Sequence, residues 1–294
     1  MIKDFSNWVE YEGVSEGSGR SEKIWLVNPE SGEIGLFKFT KSLNTTEHVS
    51  EKIASELAMI IGIECMKVDL GTFNSRIGSF SYKINKDDEI LIEGIQLINK
   101  YYPDYDENTL FDNVKKEYYS LEMIMNSLRE YNLQYEFLKI PIFDYLIGNT
   151  DRHHSNWAII QKDKNVKLSP LYDNGSSLCC YVGEDKIDGY LGKDKMKFDS
   201  ILINKSTSRI RIDKKTRKEP KHKEMIEFIK NNHYNETIDF VKVINAKVNE
   251  KSIDILLGNY VGIISDKRIN LIKKYLLEKV KMMAKIFELK GKGE

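Results

Sequence analysis

The chain has 294 residues, of which 41% are hydrophobic and 31% are charged, so it can bury a large core. Basic and acidic residues both total 45, which excludes an overall charge that would favour nucleic acid or a membrane surface. The opening residues lack the features of a secretory signal, and no apolar run approaches the roughly 18 residues of a membrane-spanning helix, so we expect a cytoplasmic protein with no membrane partner.

The first third of the chain is predicted to consist of strands with one helix among them. The runs "KIWLV" and "EIGLFKFT" are β-rich and are separated by the turn sequence "NPESG", which predicts a hairpin. The segment "TEHVSEKIASELAMII" has apolar residues at helical spacing, with Thr45 or Thr46 as the N-cap and Gly62 as the end. We expect "SFSYKI" and "ILIEGIQLI", which follow, to be extended.

From about Asn108 onward the apolar pattern becomes mainly helical. The segment "YEFLKIPIFDYLIGN" predicts a helix that ends at Gly148, and Pro141 must either kink this helix or mark its start. The last part of the chain predicts three or four further helices, of which the long amphipathic "DKRINLIKKYLLEKVKMMAKIFELKGKGE" is the final one.

A dense polar stretch, "GNTDRHHSNW", follows the helix that contains Pro141. Asp151 and Asn156 in it have the D-x-x-x-x-N spacing of a kinase catalytic loop. The next runs, "WAII" and "VKLS", predict a short hairpin that returns the chain and sets Asp173 near Asn156. A carboxylate and an amide oxygen that converge in this way suit Mg²⁺ bound against triphosphate oxygens.

Two other classes of protein compete with phosphate transfer. The paired histidines, His153 and His154, raise the hypothesis of a metal-dependent phosphoester hydrolase, but the remaining histidines lack partner acids in recognisable motifs. A kinase-like binding module that holds nucleotide without transferring phosphate, a pseudokinase, also remains open. Phosphate transfer from labelled ATP discriminates between these classes.

The stretches "GNTDRHHSNW" and "LSPLYDNGSSL" resemble the C-terminal signature of bacterial HipA-type serine/threonine kinases, most closely the short single-protein form typified by a Helicobacter kinase. The D-R-H-x-x-N core is also similar to the catalytic loop of phosphoinositide 3- and 4-kinases, so a lipid kinase is an alternative. The resemblance implies an α+β, two-lobed protein-kinase-like fold. Residues 1–95 would form an N-lobe of antiparallel sheet plus helix, and residues 96–294 a mainly helical C-lobe.

The resemblance also implies ATP- and Mg²⁺-dependent transfer to a serine or threonine of a protein, with specific roles in the catalytic loop. Asp151 matches the catalytic base, and Asn156 and Asp173 match the metal ligands. His153 lies where many protein kinases have a lysine that neutralises the transferring phosphoryl group. Ser155 stands where the larger HipA toxins have lysine, a departure that favours the short-form relatives and puts a toxin-like assignment in doubt.

In the N-lobe the family leads us to expect an ATP-anchoring lysine on a strand, paired with a glutamate on the following helix. Lys38 in "GLFKFT" matches the lysine and Glu51 matches the glutamate, with Glu56 as the alternative. The segment "GVSEGSGRSEK" lies where a phosphate-covering loop belongs, with Gly17 and Gly19 as the binding positions. The family also implies autophosphorylation in this loop, at one of three serines: Ser15, Ser18 and Ser21.

A basic segment from Lys205 to Lys223 follows Asp173 in chain order. We expect it to help bind an acidic or RNA-associated protein target, and a mobile, solvated loop is the alternative. An antitoxin partner, a toxin role and export into another cell all remain open at this level.

Overall fold

The computed structural model describes residues 2–12, 22–40, 42 and 44–289. Within these residues the N-terminal part contains one sheet, whose strands are β1 (Lys3–Asp4), β2 (Val9–Glu10), β3 (Lys23–Val27), β4 (Ile34–Phe39), β5 (Val68–Phe73) and β6 (Arg76–Tyr82). Their order is β1-β5-β6-β4-β3-β2, and all neighbours are antiparallel except β1 and β5. The antiparallel N-terminal sheet is therefore present as predicted.

The predicted hairpin is formed by β3 and β4. Asn28 Oδ1 accepts the backbone N–H groups of Glu30 and Ser31, and Gly32 takes the left-handed conformation at φ +73°. One face of the sheet buries an aromatic cluster in which Phe37 of β4 takes part. Because side chains alternate along a strand, Lys38 projects from the opposite face.

Helix α1 (Glu47–Ile61) connects β4 to β5 and packs against β5 and β6. It ends where predicted, since Gly62 takes the left-handed conformation at φ +79°. Thr46 occupies the N-cap position as expected, but its side chain makes no capping hydrogen bond. The apolar stripe of Val49, Ile53 and Leu57 is buried, and Glu51 lies buried beside it with 3% exposure.

The prediction for "ILIEGIQLI" is wrong in its second half. Only β7 (Ile90–Glu93) is extended, and α2 (Gly94–Tyr101) begins directly after it. Gln96 Oε1 accepts the backbone N–H of Glu93 at 2.9 Å, which is one half of a capping box that starts the helix. The alternation of apolar and polar residues continues from β7 into α2, because α2 buries only one narrow face.

Three short strands follow in a small separate sheet: β8 (Tyr105–Asp106), β9 (Phe111–Asp112) and β10 (Glu117–Tyr118). Next come α3 (Leu121–Leu128), a 3₁₀ turn at Arg129–Tyr131, another at Glu136–Leu138, and α4 (Lys139–Ile147). Pro141 marks the start of α4, because it lies in the first turn, where a backbone N–H has no intrahelical acceptor. Gly148, at φ +70°, ends this helix as predicted.

The predicted hairpin after the polar stretch is also present, as β11 (Ala158–Lys162) and β12 (Asn165–Leu168). Strand β11 pairs with β7 on its other edge. The remaining helices are α5 (Ile187–Leu191), α6 (Lys195–Asp199), α7 (His222–Asn232), α8 (Tyr234–Lys247), α9 (Glu250–Gly258) and α10 (Asp266–Ile286), with a 3₁₀ turn at Glu184–Lys186 and a π-helical turn at Ser200–Asn204.

The helical part packs around α4, which contacts α7, α8 and α10. Every residue of α4 after Lys139 is buried, so this helix is the centre of the core. In the part of the chain that the structure describes, no helix is both long enough and apolar enough to cross a membrane.

Candidate functional site

The polar loop between α4 and β11 is held in place by its own asparagines. Asn149 Nδ2 donates to Asp144 Oδ1 of α4 at 3.1 Å, and Asn149 Oδ1 accepts the backbone N–H of Asp151 at 3.1 Å. Asn156 Nδ2 then donates to the backbone carbonyl of Asp151 at 2.6 Å. The loop is therefore closed on itself, and the backbone of Asp151 is fixed from both sides.

Arg152, for which the sequence pattern predicts no role, is the centre of a buried network. Its guanidinium is 1% exposed and forms a salt bridge with Asp144, at 2.7 Å from Nη2 and 3.0 Å from Nε. Nη1 donates to the carbonyls of Asn156 and Tyr172 at 2.7 Å, and Nη2 donates to Asn174 Oδ1 at 2.6 Å. Arg152 thus joins α4, the polar loop and the segment around Asp173.

A sequence signal for this network was available. Asp144 is the one charged residue in the apolar run "IPIFDYLI", and a buried acid in such a run requires a partner. Asn174 gave no comparable signal, although it is fully buried and its side chain also contacts Cys65 Sγ at 3.5 Å.

The hairpin of β11 and β12 returns the chain so that Asp173 meets the N-terminal sheet. Lys38 Nζ of β4 lies 2.6 Å from Asp173 Oδ1. Asp173 has φ +55°, a left-handed conformation that is uncommon for a residue with a side chain and is often found at functional sites. Burial would raise the pKa of Asp173, but the Lys38 ammonium outweighs it and lowers that pKa, so the carboxylate stays ionised.

Glu51 of α1 contacts the same segment rather than Lys38. Its Oε1 accepts the backbone N–H of Asn174 at 2.8 Å. Burial raises the pKa of Glu51, and the Lys38 ammonium opposes that shift through space. Burial lowers the pKa of Lys38, but the Asp173 and Glu51 carboxylates reverse this effect and raise it. Glu56, the alternative, points elsewhere and accepts the Tyr260 hydroxyl at 2.6 Å.

The two histidines have different environments. His154 is 5% exposed, its Nδ1 lies 2.9 Å from the Tyr105 hydroxyl, and burial lowers its pKa to about 4, so it is a neutral packing residue. His153 Nδ1 accepts the backbone N–H of Ser155 at 3.2 Å, which leaves the proton of the neutral ring on Nε2. Burial lowers the pKa of His153 despite the nearby Asp151 carboxylate.

Asp151 is only partly buried, and it lies near His153 and Asp173. Burial raises its pKa, and the His153 imidazole opposes that rise. A carboxylate with a raised pKa is a better proton acceptor than an ordinary aspartate. The site thus combines a cation at Lys38 with carboxylates at Asp151, Asp173 and Glu51.

The donor set fits a magnesium ion. Asp173 supplies an ionised carboxylate, and because Asn156 donates through Nδ2, its Oδ1 is left as the free acceptor of that amide among the described contacts. Mg²⁺ needs few protein ligands when phosphate and water complete its octahedron. Within the described ranges, no group of three or more His, Cys, Asp or Glu converges as a metal-binding cluster.

Some predicted positions cannot be placed. Gly17 and Gly19 lie outside the described residues, as do three serines of the same segment: Ser15, Ser18 and Ser21.

The basic segment is tied to the helical part by ion pairs. Lys214 Nζ lies 3.2 Å from Glu117 and 3.0 Å from Glu122, and Lys215 Nζ lies 3.3 Å from Glu117. Arg209 pairs with Glu219 of the same segment at 2.8 Å. Several of its charges are therefore balanced within the chain.

The chain is similar to a HipA-like protein family and to proteins that are named as kinases. A family model described as the HipA-like C-terminal domain matches residues 15–242. The Helicobacter pylori serine/threonine-protein kinase CtkA is 22% identical over 180 residues, which are 58% of this chain and 54% of that protein. The chain thus spans about half the length of this curated relative in that match. The putative kinase Y4dM of Sinorhizobium fredii is 43% identical over 51 residues, 17% of this chain and 12% of that protein.

Solved structures share the fold over nearly the whole chain. The crystal structure of the Helicobacter pylori proinflammatory kinase CtkA aligns with a TM-score of 0.81 at 17% identity and covers 98% of this chain and 97% of that one. A Shewanella oneidensis complex of HipA, HipB and operator DNA aligns with a TM-score of 0.59 at 12% identity over 96% of this chain and 69% of that one. The predicted α+β, two-lobed kinase-like fold is confirmed. Because the family model covers more than half of the sequence, the chain belongs to the HipA-like C-terminal domain family.

Proposed function

We propose that the protein is an ATP- and Mg²⁺-dependent serine/threonine protein kinase. The observation that carries this proposal is the 2.6 Å contact between Lys38 and Asp173, which are 135 positions apart in the chain. It brings an ammonium group for phosphate and a carboxylate for metal to one point beside Asp151. The kinase names of its relatives support the same reaction class.

Lys38 and Glu51 would position the nucleotide. Lys38 offers a positive point charge to the phosphates, and Glu51 holds that charge electrostatically while it anchors the backbone of Asn174. Glu51 therefore links α1 to the metal-binding segment. We expect a shift of α1 to move both the lysine and Asp173.

Asp151 would act as the base in the transfer. The acceptor serine or threonine oxygen attacks the γ-phosphorus, the bond from that phosphorus to the departing ADP oxygen breaks, and the hydroxyl proton passes to Asp151. His153 would donate its Nε2 proton in a hydrogen bond to the transferring phosphoryl group, since Nδ1 is already occupied by the Ser155 backbone. Arg152 is buried and would act as a positioning residue that fixes the loop carrying Asp151.

Asn156 and Asp173 would hold Mg²⁺ through oxygen atoms. When bound, the ion neutralises charge on the β- and γ-phosphate oxygens. Asp173 is suited to this role because Lys38 keeps it ionised.

The proposal is tested by phosphate transfer from γ-labelled ATP to a panel of purified proteins, with Mg²⁺ and with excess chelator. We expect Mg²⁺-dependent labelling that falls by about 10²–10⁴-fold in Asp151→Asn, because general-base catalysis contributes that much. Asp163→Asn is the matched control, since Asp163 lies in the turn between β11 and β12 at φ +54°, which asparagine tolerates.

Two results would contradict the proposal. Equal labelling by the wild type and Asp151→Asn would exclude the assigned base. Mg²⁺-dependent nucleotide binding with no transfer to any acceptor would instead favour the nucleotide-holding module.

We also propose that the protein phosphorylates itself in the glycine-rich segment of residues 13–21. Phosphopeptide mapping after incubation with Mg-ATP should find phosphate on at least one of its three serines: Ser15, Ser18 and Ser21. Labelling that is confined to other segments would remove this part of the proposal.

A further inference from the structure

A pocket of about 440 Å³ opens beside the loop that carries Asp151. Thr150, which precedes Asp151, and Ser176, three positions after Asp173, both line it. Consecutive Cα atoms are about 3.8 Å apart, so the wall of the pocket at Thr150 is one residue from the proposed base. The pocket is therefore within reach of an acceptor segment whose hydroxyl lies at Asp151.

The pocket has a positive lining. Lys186 and Lys205 contribute to it and are exposed, and neither ammonium group is ion-paired with another described residue. None of the described residues that line the pocket is an aspartate or a glutamate. Hydroxyl groups of Thr150 and Ser176 lie around the same space and can donate hydrogen bonds.

A buried lysine lies beneath the pocket. Lys279 of α10 is 1% exposed, and its Nζ lies 2.8 Å from Ser206 Oγ, which belongs to the lining. Its other described neighbours are the ring faces of Tyr145 and Tyr275, at 4.4 and 5.2 Å from the ring centres, and it has no carboxylate partner among the described residues. Burial lowers the pKa of Lys279 to about 7.

Ser206 connects this lysine to the pocket. Its Oγ accepts a hydrogen bond from Lys279 Nζ and also lies 2.9 Å from His222 Nδ1, and burial lowers the pKa of His222 to about 3, so that ring is neutral. The Ser206 hydroxyl is therefore engaged by both groups at the wall of the pocket. Burial disfavours the protonated form of Lys279, and an anion in the adjoining pocket would favour that form.

Two other lysines of the basic segment are less suited to an anion. Lys214 and Lys215 of that segment are both within salt-bridge distance of Glu117. Lys205, at the start of the segment, is the member that lines the pocket. Lys214 and Lys215, which are paired with an acid, can therefore serve as the control for Lys186 and Lys205, which line the pocket.

We propose that this pocket binds an anionic side chain of the acceptor protein, a carboxylate or a phosphoryl group, close in sequence to the serine or threonine that is phosphorylated. The inference rests on the proposed kinase function and specifies its substrate class. An extended segment rises about 3.3 Å per residue, so the anionic residue lies within about three positions of the acceptor. Lys186 and Lys205 are then the specificity-determining residues.

The first test measures binding without ATP and does not depend on catalysis. Short fluorescent peptides with one central serine carry glutamate, phosphoserine, alanine or lysine at each flanking position within about three residues. We expect glutamate or phosphoserine at one position to strengthen binding by at least about fivefold over alanine, a preference that weakens at high salt. The two anionic series distinguish a carboxylate site from a phosphoryl site.

Variants assign the preference to the pocket. In the Lys186→Met, Lys205→Met double variant the anion-to-alanine affinity ratio should fall towards one, and in Lys214→Met, Lys215→Met it should stay at the wild-type value. The two double variants remove equal charge, and all four lysine side chains reach the surface, so circular dichroism should show both folded. The same ratio is then measured as kcat/KM in the transfer assay.

The outcomes separate this inference from the proposed function. Equal affinity of wild type for the anionic and alanine peptides, or an anion preference that is lost equally in both double variants, would overturn the inference. Anion-selective binding that requires Lys186 and Lys205, but without phosphate transfer to any peptide, would support the pocket and contradict the kinase activity instead.

Discussion

The salt bridge between Arg152 and Asp144 should contribute more to stability than any exposed pair of this chain. Both side chains are almost fully buried, at 1% and 3% exposure, and lie 2.7 Å apart. We consider Arg152→Met, which keeps an unbranched side chain but removes the charge, and Asp144→Asn, which keeps the shape but removes the carboxylate. Each change leaves the other ion buried without its partner.

The magnitude follows from the contacts that are lost. Removal of one partner of a buried ion pair costs about 3–5 kcal/mol, because the remaining charge stays desolvated. Arg152→Met also removes the donor from three further acceptors, the carbonyls of Asn156 and Tyr172 and Asn174 Oδ1, each worth about 1 kcal/mol. We therefore expect a loss of about 3–5 kcal/mol for Asp144→Asn and of up to roughly 6–8 kcal/mol for Arg152→Met.

The assay is equilibrium unfolding in urea, followed by tryptophan fluorescence and by circular dichroism. Arg76→Met is the matched control, because Arg76 also holds a glutamate, Glu22, through two short hydrogen bonds of 2.6 and 2.7 Å but is exposed to water. Its replacement should leave the free energy of unfolding nearly unchanged. If Arg152→Met does not fold, Asp144→Asn still provides the measurement.

A double variant tests the reasoning about burial. In Asp144→Asn, Arg152→Met no charge is left unpaired, so the loss should be smaller than the sum of the single losses by about 1–3 kcal/mol. Strictly additive losses, or an Arg152→Met change of less than about 1 kcal/mol, would refute the view that this pair is a buried and coupled unit.

Three further predictions concern single positions. Gly148→Ala should cost about 1–3 kcal/mol more than Gly62→Ala in thermal unfolding, because both residues have positive φ but only at Gly148 would a Cβ lie 2.1 Å from a tyrosine hydroxyl of α10. Lys279 has a pKa of about 7 in the fold and an ordinary value of 10.5 when unfolded, so the unfolded chain binds more protons between these values and stability rises with pH. Lys279→Met should abolish that rise in unfolding measured from pH 7 to 10. Glu51→Gln should weaken Mg-ATP binding in a fluorescence titration, whereas Glu56→Gln on the same helix should not, and equal effects would contradict the assignment of Glu51.

Local signals in the sequence were sufficient for much of the fold. The hairpin of β3 and β4 and the helix ends at Gly62 and Gly148 depend on turn chemistry and left-handed backbone, which are properties of a few neighbouring residues. The segment of α2 is wrongly predicted to be extended, because its first residues continue the apolar pattern of β7. The contact that starts a helix there is the capping pair of Glu93 and Gln96.

Local sequence patterns predicted only part of the candidate site. The D-x-x-x-x-N spacing and the hairpin after it indicated that Asp151, Asn156 and Asp173 belong together. The partner of Glu51 was not predictable, because its contact to the backbone of Asn174 joins residues 123 positions apart. Contacts of this kind depend on how helices and sheets pack, which the local pattern of polar and apolar residues does not specify.

The register of two strand pairs explains how distant residues meet at the site. Strand β4 carries Lys38 opposite Ser79 of β6, and β7 pairs with β11, so that Ala158, two positions after Asn156, lies opposite Glu93. Gly94 is packed so closely on Trp157 and the His154 carbonyl that a Cβ there would approach them to 2.2 and 2.5 Å. The strand that ends near the predicted lobe boundary is thus hydrogen-bonded to the strand that follows the polar loop of Asp151 and Asn156. Because a slip of one residue would turn each side chain to the other face, the position of Lys38 relative to Asp173 is determined by these registers as much as by the ion pair itself.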